Sequence, residues 1–367
     1  MFTIPESSLS NPSLFPHVQN AYIGTILSSP ALYVSSLYTS ELEWLEAACL
    51  SINKSSNPIL AEILNPGGGY ELSGLCGKLD DYLQDNDIDP LEHGYGARKA
   101  RLQDPFAYTL KANHRDIDLT VNLDMDTSTA TMYSEDDDVR LTWYASASSK
   151  NVYVNSVNLK NSKDYEIQYL FEQKLNKGSD DVAFTTVEDG NSKVCKAGEV
   201  VRPEKDSEMK YVSQCYTPLP TSILLKPGQA FGIDLYMVVS LEPTVETVSS
   251  IYDQLFTTDV FSEHVKSWQD KSAATIRTNN ETLNEQIHAT IYALRTSLAE
   301  DHPYPTSPGG TSTNGYFGLY FWDSEIWIAS SLLLLNPLSA RTSSYYRLSL
   351  LSKYSSFATK TTTKDAE

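Results

Sequence analysis

The sequence predicts a mixed β and α fold: a large antiparallel β-sandwich, then a helical linker, then the first helices of an α-helical barrel. Three observations lead there. Residues 15 to 245 alternate short β-type runs with turn formers, and after Pro243 the apolar period changes from two to about 3.6. The last hundred or so residues then string together a helix, a long loop, an apolar helix, a tight turn and another helix. At 367 residues the chain exceeds one ordinary domain, so two units, each burying its own core, are the starting expectation.

The sandwich rests on the runs AYIGTIL, ALYVSSLY, IDLTVNLDMD, TSTATMYSE, VRLTWYASAS, NVYVNSVNL, YEIQYLFEQ and AFGIDLYMVVSLE, whose branched and aromatic residues recur at period two. Two stretches interrupt them. SELEWLEAACLSI (40–52) has a helical spacing, and 64–105 reads as an irregular excursion rich in Gly, Asp and Pro. Residues 188–210 read as a polar loop or β-ribbon.

Beyond Pro243, residues 247–271 look helical, and Leu283, Ile287, Ile291, Leu294 and Leu298 mark one face of a further amphipathic helix. PYPTSPGGTSTNG (303–315) must be a loop, given its prolines and glycines. IWIASSLLLL (326–335) is apolar nearly all round, which predicts a buried helix. Asn336-Pro337 then supplies an N-cap and a proline at the first position of the next helix. The organisation expected is a β-sandwich domain at 1–245, a helical linker at 246–282 and the start of a barrel at 283–367, left incomplete before the polar tail ATKTTTKDAE.

Lys plus Arg number 28 against 47 Asp plus Glu, and a net charge of −19 argues against nucleic acid or an anionic membrane as partner. Cys49, Cys76, Cys195 and Cys215 make no C-x-x-C pair or zinc-ligand spacing, so no metal or cofactor is expected. Buried free thiols are the simplest expectation for them, with a Cys195–Cys215 bridge as the alternative. No secretory signal is visible at the N-terminus, and LLLLN is too short to span a bilayer. A soluble, cytoplasmic protein is expected. Asn53-Lys-Ser and Asn280-Glu-Thr match the glycosylation sequon, a triplet that also arises often by chance.

The stretch GYFGLYFWDSEIW (315–327) concentrates aromatics around two carboxylates. Paired carboxylates are the usual equipment of glycoside hydrolysis, at about 5–5.5 Å for retention or roughly 6.5–9.5 Å for inversion. Asp323 and Glu325, two residues apart, diverge too much to grip one glycosidic oxygen. A division of labour fits better: Asp323 accepts hydrogen bonds from sugar hydroxyls while Trp322 offers an apolar face to the ring. The competing reading has Asp323-Ser324 capping a helix that starts near Glu325, with Phe321, Trp322 and Trp327 packed. His264 and Trp268, one turn apart, read as a packed helix face. PGGGY (66–70) lacks the Lys-Ser/Thr of a phosphate loop, and no G-x-S-x-G or H-E-x-x-H occurs.

SPGGTSTNGYFGLYFWDSEIWIASSLLLLNPLSARTSSYYRL (307–348) resembles the start of the catalytic barrel in glycoside hydrolase family 65, close to S-P-G-G-L-S-x-x-G-Y-x-G-H-x-F-W-D-T-E-x-W followed by a helix and N-P. Within that family it looks most like the branch of protein-glucosylgalactosylhydroxylysine glucosidases and acid trehalases. QNAYIGT (19–25) is similar to the family's N-G-Y-I-G-T, and HRDIDLTVNLDM (114–125) to the strand that follows. The resemblance implies a β-sandwich, a helical linker and a truncated (α/α)6 barrel, acting on α-linked glucosides by inversion. It puts Trp322 and Asp323 in the glucose subsite, and Trp322, Asp323 and Glu325 are the expected substrate-binding residues. It also implies that the general acid and base lie in barrel segments this chain does not contain, so no catalytic residue is assigned. Leu319 stands where the family has His, Ser324 where it has Thr, and Thr311 where it has Leu. The expected partner is a small-molecule or peptide-linked glucoside, with self-association through uncovered barrel helices. A non-catalytic carbohydrate-binding or scaffolding protein is the alternative, and a phosphorylase of the same family a weaker third.

Overall fold

A computed structural model describes residues 2–4, 15–40, 97–175, 181–201, 203, 209–271, 276–299, 302, 306–313, 318, 320–342 and 344–348. The strands are, in order, β1 (Phe2–Ile4), β2 (His17–Gln19), β3 (Ile23–Ile26), β4 (Ala31–Ser40), β5 (Ala97–Gln103) and β6 (Tyr108–Ala112). They continue with β7 (Arg115–Asp116), β8 (Thr120–Asp124), β9 (Thr129–Ser134), β10 (Val139–Ala145), β11 (Val152–Lys160) and β12 (Ile167–Gln173). Last come β13 (Val182–Asp189), β14 (Val194–Val200), β15 (Tyr211–Tyr216), β16 (Ser222–Leu225) and β17 (Ala230–Ser240). Helices α1 (Glu246–Leu255), α2 (Val260–Lys271) and α3 (Glu281–Ser297) follow, then a π-helical segment (Ser324–Ala329) running into α4 (Ser330–Leu335). Residues 337–342 and 344–348 are also helical.

A nine-stranded sheet, β1-β8-β9-β10-β11-β17-β15-β14-β13, faces two four-stranded sheets, β16-β12-β6-β7 and β2-β3-β4-β5. One apolar core joins all three: Leu32, Leu37 and Leu102 come from one small sheet, Tyr169 and Phe171 from the other, and Trp143, Tyr153 and Met237 from the large one. The fold is therefore mixed β and α with large antiparallel sheets, as expected. Successive residues of a strand point to opposite faces, so Leu235, Met237 and Val239 of β17 enter this core while Tyr236 and Val238 point out of it. That outward face is covered by Val248, Tyr252 and Leu255 of α1 and by Val260 of α2. Covering both faces explains why LYMVV (235–239) is an unbroken apolar run.

Every run named above for the sandwich contains a strand. The excursion reading is corrected at its end, because residues 97–103 form β5, paired with β4. ARKARLQ carries no branched or aromatic signal beyond Leu102, and its charged residues are satisfied by distant partners: Arg98 pairs with Asp181 at 2.5 and 2.8 Å. Residues 188–210, where described, supply the end of β13 and all of β14, so the ribbon reading holds there. The helix at 40–52, most of 64–96, Cys49, Cys76, PGGGY and the tail lie outside the described residues.

Cys195 and Cys215, opposite each other on β14 and β15, are disulfide-bonded with a Cα–Cα distance of 4.2 Å. The free-thiol expectation is corrected for this pair. The antiparallel register sets the two thiols face to face, which spacing along the chain does not disclose.

The buried-helix expectation for 326–335 is also corrected. Leu332 is buried, but Ile326, Trp327, Leu333 and Leu334 are exposed, Leu334 at 87%. Among the described residues nothing packs over that side, so an all-round apolar sequence here leaves one face in solvent. Asn336 Oδ1 accepts from Ser339 N at 3.2 Å, the N-cap expected ahead of Pro337. On α3 the apolar face is buried only toward its end, at Ile291, while Leu283 is exposed. No helix among the described residues is long and apolar enough to cross a membrane.

Candidate functional site

The aromatic stretch is delivered by the loop at 306–313, which is fastened to the β2–β5 sheet. Gln19, buried at the end of β2, is the central clamp. Its Oε1 accepts from Thr311 N at 3.0 Å and Ser312 N at 2.9 Å. Its Nε2 donates to Thr296 Oγ1 at 3.0 Å and Ser297 Oγ at 2.9 Å on α3. One amide thus ties sandwich, helix and loop together, with all its capacity used. His17 joins it, its Nδ1 lying 2.6 Å from Ser312 Oγ, and burial lowers the pKa of this ring so that the neutral, accepting form is favoured.

Two glycines permit the close approach. A Cβ on Gly24 would sit 2.8 Å from both Gln19 Cβ and Ser312 N, so only glycine admits the loop there. Gly318, at φ +73°, lies against the stem of Lys99, where a side chain would overlap it.

Lys99 is buried on β5. Its Nζ donates to Gly310 O at 2.5 Å, Thr313 O at 3.2 Å and Thr311 O at 3.3 Å. Burial pushes its pKa down to about 7, while the three carbonyl oxygens favour the charged form that donates to all of them. Tyr38 OH donates to Gly318 O at 2.7 Å, and Ser324 Oγ to Thr306 O at 2.9 Å. Gly318 and Ser324 of the aromatic segment are therefore each fastened to another part of the chain.

Between these two anchors the chain turns at Trp322 and enters the π-helical segment, a wider winding that is rare and recurs at functional sites. Trp322 is 59% exposed and Trp327 64% exposed. Asp323 precedes the segment but makes no capping hydrogen bond. Neither the cap nor the packed indoles of the competing reading are found. Glu325 is engaged: Arg347 Nε donates to its Oε1 at 2.8 Å and Arg347 Nη2 to its Oε2 at 3.3 Å. Among the described residues Trp322 and Asp323 are thus adjacent and without a bonding partner, whereas Glu325 is committed to a neighbouring helix.

His264 and Trp268 form a packed helix face, as read from their spacing. The Nδ1 of His264 accepts from Ala147 N at 3.0 Å and its Nε2 lies 2.7 Å from Thr127 O, which requires the Nε2-protonated tautomer. Trp268 Nε1 donates to Met125 O at 2.8 Å. A cleft of about 780 Å³ opens beside them, lined by Tyr22, Lys150, Lys266, Trp268 and Arg295 among others, and it includes neither Trp322 nor Asp323. Among the described residues no group of three or more His, Cys, Asp and Glu could hold a metal ion.

Nothing local in the sequence distinguishes Gln19, Tyr38 or Lys99. The available signal was that QNAYIGT and SPGGTS both stood out, and in space they are the two halves of one contact.

No protein-family model matches the chain. The protein-glucosylgalactosylhydroxylysine glucosidase of Dictyostelium discoideum is 28% identical over 140 residues, which cover 36% of this chain and 20% of that protein. The protein of the same name from Danio rerio is 25% identical over 233 residues, 57% of this chain and 35% of its own length. A kojibiose hydrolase of Mucilaginibacter mallensis is 35% identical over 98 residues, 26% of this chain and 14% of that protein. The chain therefore matches only 14% to 35% of the length of these curated relatives. A solved structure assigned as a kojibiose phosphorylase from human microbiome superposes with a TM-score of 0.61 at 11% identity, covering 95% of this chain and 46% of that one. That likeness is one of fold.

Proposed function

We propose, from its likeness to the N-terminal part of glycoside hydrolase family 65, that this chain is the glucose-holding portion of a protein that acts on α-linked glucosides, such as glucosylgalactosyl-hydroxylysine, by inversion. Trp322 offers its indole face to the C–H groups of a pyranose, and Asp323 accepts hydrogen bonds from the sugar hydroxyls. Glu325 borders the same subsite from its pair with Arg347. The observation that carries this reading is the state of Trp322 and Asp323: an exposed indole beside a carboxylate that caps no helix and pairs with none of the described residues. Side chains spent on stability would be packed or bonded; among the described residues the Trp322 indole stands in solvent and the half-buried Asp323 carboxylate has no bonding partner. The general acid and base belong, on this reading, to parts of the protein beyond this chain, so sugar binding without turnover is expected.

The test is titration with methyl α-glucoside, trehalose and glucosylgalactosyl-hydroxylysine, followed by calorimetry and tryptophan fluorescence. Binding near 1 mM, about −4 kcal/mol, is expected of a partial site, and it should vanish in Trp322→Ala and Asp323→Ala with the circular dichroism unchanged. No binding by the parent chain, or equal binding by both variants, would sink the proposal.

A second reading, a non-catalytic carbohydrate-binding or scaffolding protein, is favoured by the exposed row of Ile326, Trp327, Leu333 and Leu334. Apolar surface gathered in this way promotes association, here with a second copy of the chain.

A further inference from the structure

We propose that Asn280 is an N-linked glycan acceptor and that this chain matures in an oxidising, glycosylating compartment, in place of the cytoplasm expected from the sequence. Two independent features carry this, neither of them used by the glucoside site. The first is the bond between Cys195 and Cys215. Both residues are fully buried beneath α1, among Tyr144, Val238, Val248 and Tyr252. Two thiols become one such bridge by giving two protons and two electrons to a disulfide-bearing oxidoreductase, which is itself reduced to a dithiol. Structural disulfides of this kind persist where the surroundings are oxidising.

The second feature is the sequon Asn280-Glu281-Thr282, and since such triplets are common by chance, geometry has to decide. Asn280 is exposed and is the N-cap of α3, its Oδ1 accepting from Leu283 N at 3.1 Å. Its Nδ2 makes no hydrogen bond among the described residues. Nearby Asn284 is the contrast: its Nδ2 donates to Thr278 O at 3.0 Å and its Oδ1 accepts from Thr278 N at 2.7 Å, so both ends are occupied. An N-glycan replaces one hydrogen on Nδ2 and leaves Oδ1 an acceptor, so the cap survives modification. Glu281, Thr282 and Leu283 are exposed too, which leaves room for a saccharide.

In the transfer step Nδ2 attacks the anomeric carbon of a saccharide carried on a lipid diphosphate. A C–N bond forms, the bond from that carbon to the diphosphate oxygen breaks, and the lipid diphosphate leaves with the electron pair. The amide proton passes to a carboxylate of the transferring enzyme.

The experiment translates the full chain behind a secretion leader in the presence of endoplasmic-reticulum microsomes, on a Ser55→Ala background that silences the other sequon. The expected result is one mobility step, reversed by peptide N-glycosidase, with Asn280 recovered as Asp carrying heavy oxygen when the enzyme acts in labelled water. Thr282→Ala and Asn280→Asp should each abolish the step. Asp retains the capping oxygen, so Asn280→Asp should melt with the deglycosylated parent, separating loss of the glycan from misfolding. A non-reducing digest should yield the Cys195 and Cys215 peptides joined. An unshifted chain beside a shifted control glycoprotein overturns the acceptor site, and alkylation of both cysteines without reduction overturns the compartment.

Discussion

Gln19 and Ser312 are joined across 293 positions of the chain by a 2.9 Å hydrogen bond from the Ser312 backbone N–H to the Gln19 amide oxygen. Thr311 N–H shares that oxygen, so a single sandwich residue sets where the loop before Trp322 can lie.

Replacing Gln19 by Ala therefore strands the N–H groups of Thr311 and Ser312 in a buried position. Orphaning buried donors costs about 1–3 kcal/mol each, so for the two of them a loss of roughly 2–6 kcal/mol is expected in urea denaturation. A change below about 0.5 kcal/mol, the size of an ordinary surface substitution, would show that the loop is not held there. Gly24→Ala should weaken the same contact by overpacking, at about 1–3 kcal/mol.

Asp104 predicts a pH dependence. It lies fully buried, accepting from Phe106 N at 2.8 Å and Tyr153 OH at 3.2 Å, and burial raises its pKa to about 7 against those hydrogen bonds. A carboxyl raised in the folded state holds its proton where the unfolded chain has lost it. Its contribution to stability is full below the ordinary carboxylate range and is lost as pH climbs toward 7. Thermal melting should therefore show the parent losing stability relative to Asp104→Asn between pH 4 and pH 7. A constant difference across that window would refute the shift.

The Cys195–Cys215 bridge closes a loop of 20 residues, for which chain entropy predicts about 3 kcal/mol. Double replacement by Ala should lower the denaturation midpoint accordingly. Reductant should have the same effect on the parent and none on the variant.

Glu325 and Arg347 are both about a third exposed, so their pair should contribute little. A double-mutant cycle with Glu325→Gln and Arg347→Met is expected to return a coupling of about 0–1 kcal/mol. Loss of the fold in either single variant would mean that the π-helical segment depends on this pair.

Leu333→Ser with Leu334→Ser should reduce any self-association measured by light scattering, without lowering the melting temperature. Both side chains are exposed, so the substitution removes sticky surface and no core. Unchanged association would direct attention away from this row.

What the sequence by itself determined was local. Period-two runs such as VRLTWYA make strands because alternation along a pleated chain decides which side chains can be buried together. Asn336-Pro337 makes a helix start because its capping geometry needs only neighbours. The sequence also marked 315–327 as unusual and, through its resemblance, named Trp322 and Asp323. The tertiary structure alone decided the rest. Charged β5 is a strand because Asp181 and the loop carbonyls, far away in sequence, satisfy Arg98 and Lys99. Cys195 meets Cys215 because β14 and β15 pair in one register. The leucines at 333 and 334 are exposed because burial requires a partner surface, and hydrophobicity supplies only the tendency to seek one. Periodicity is inherited from the backbone, whereas contacts across nearly 300 positions exist only once the layers have packed.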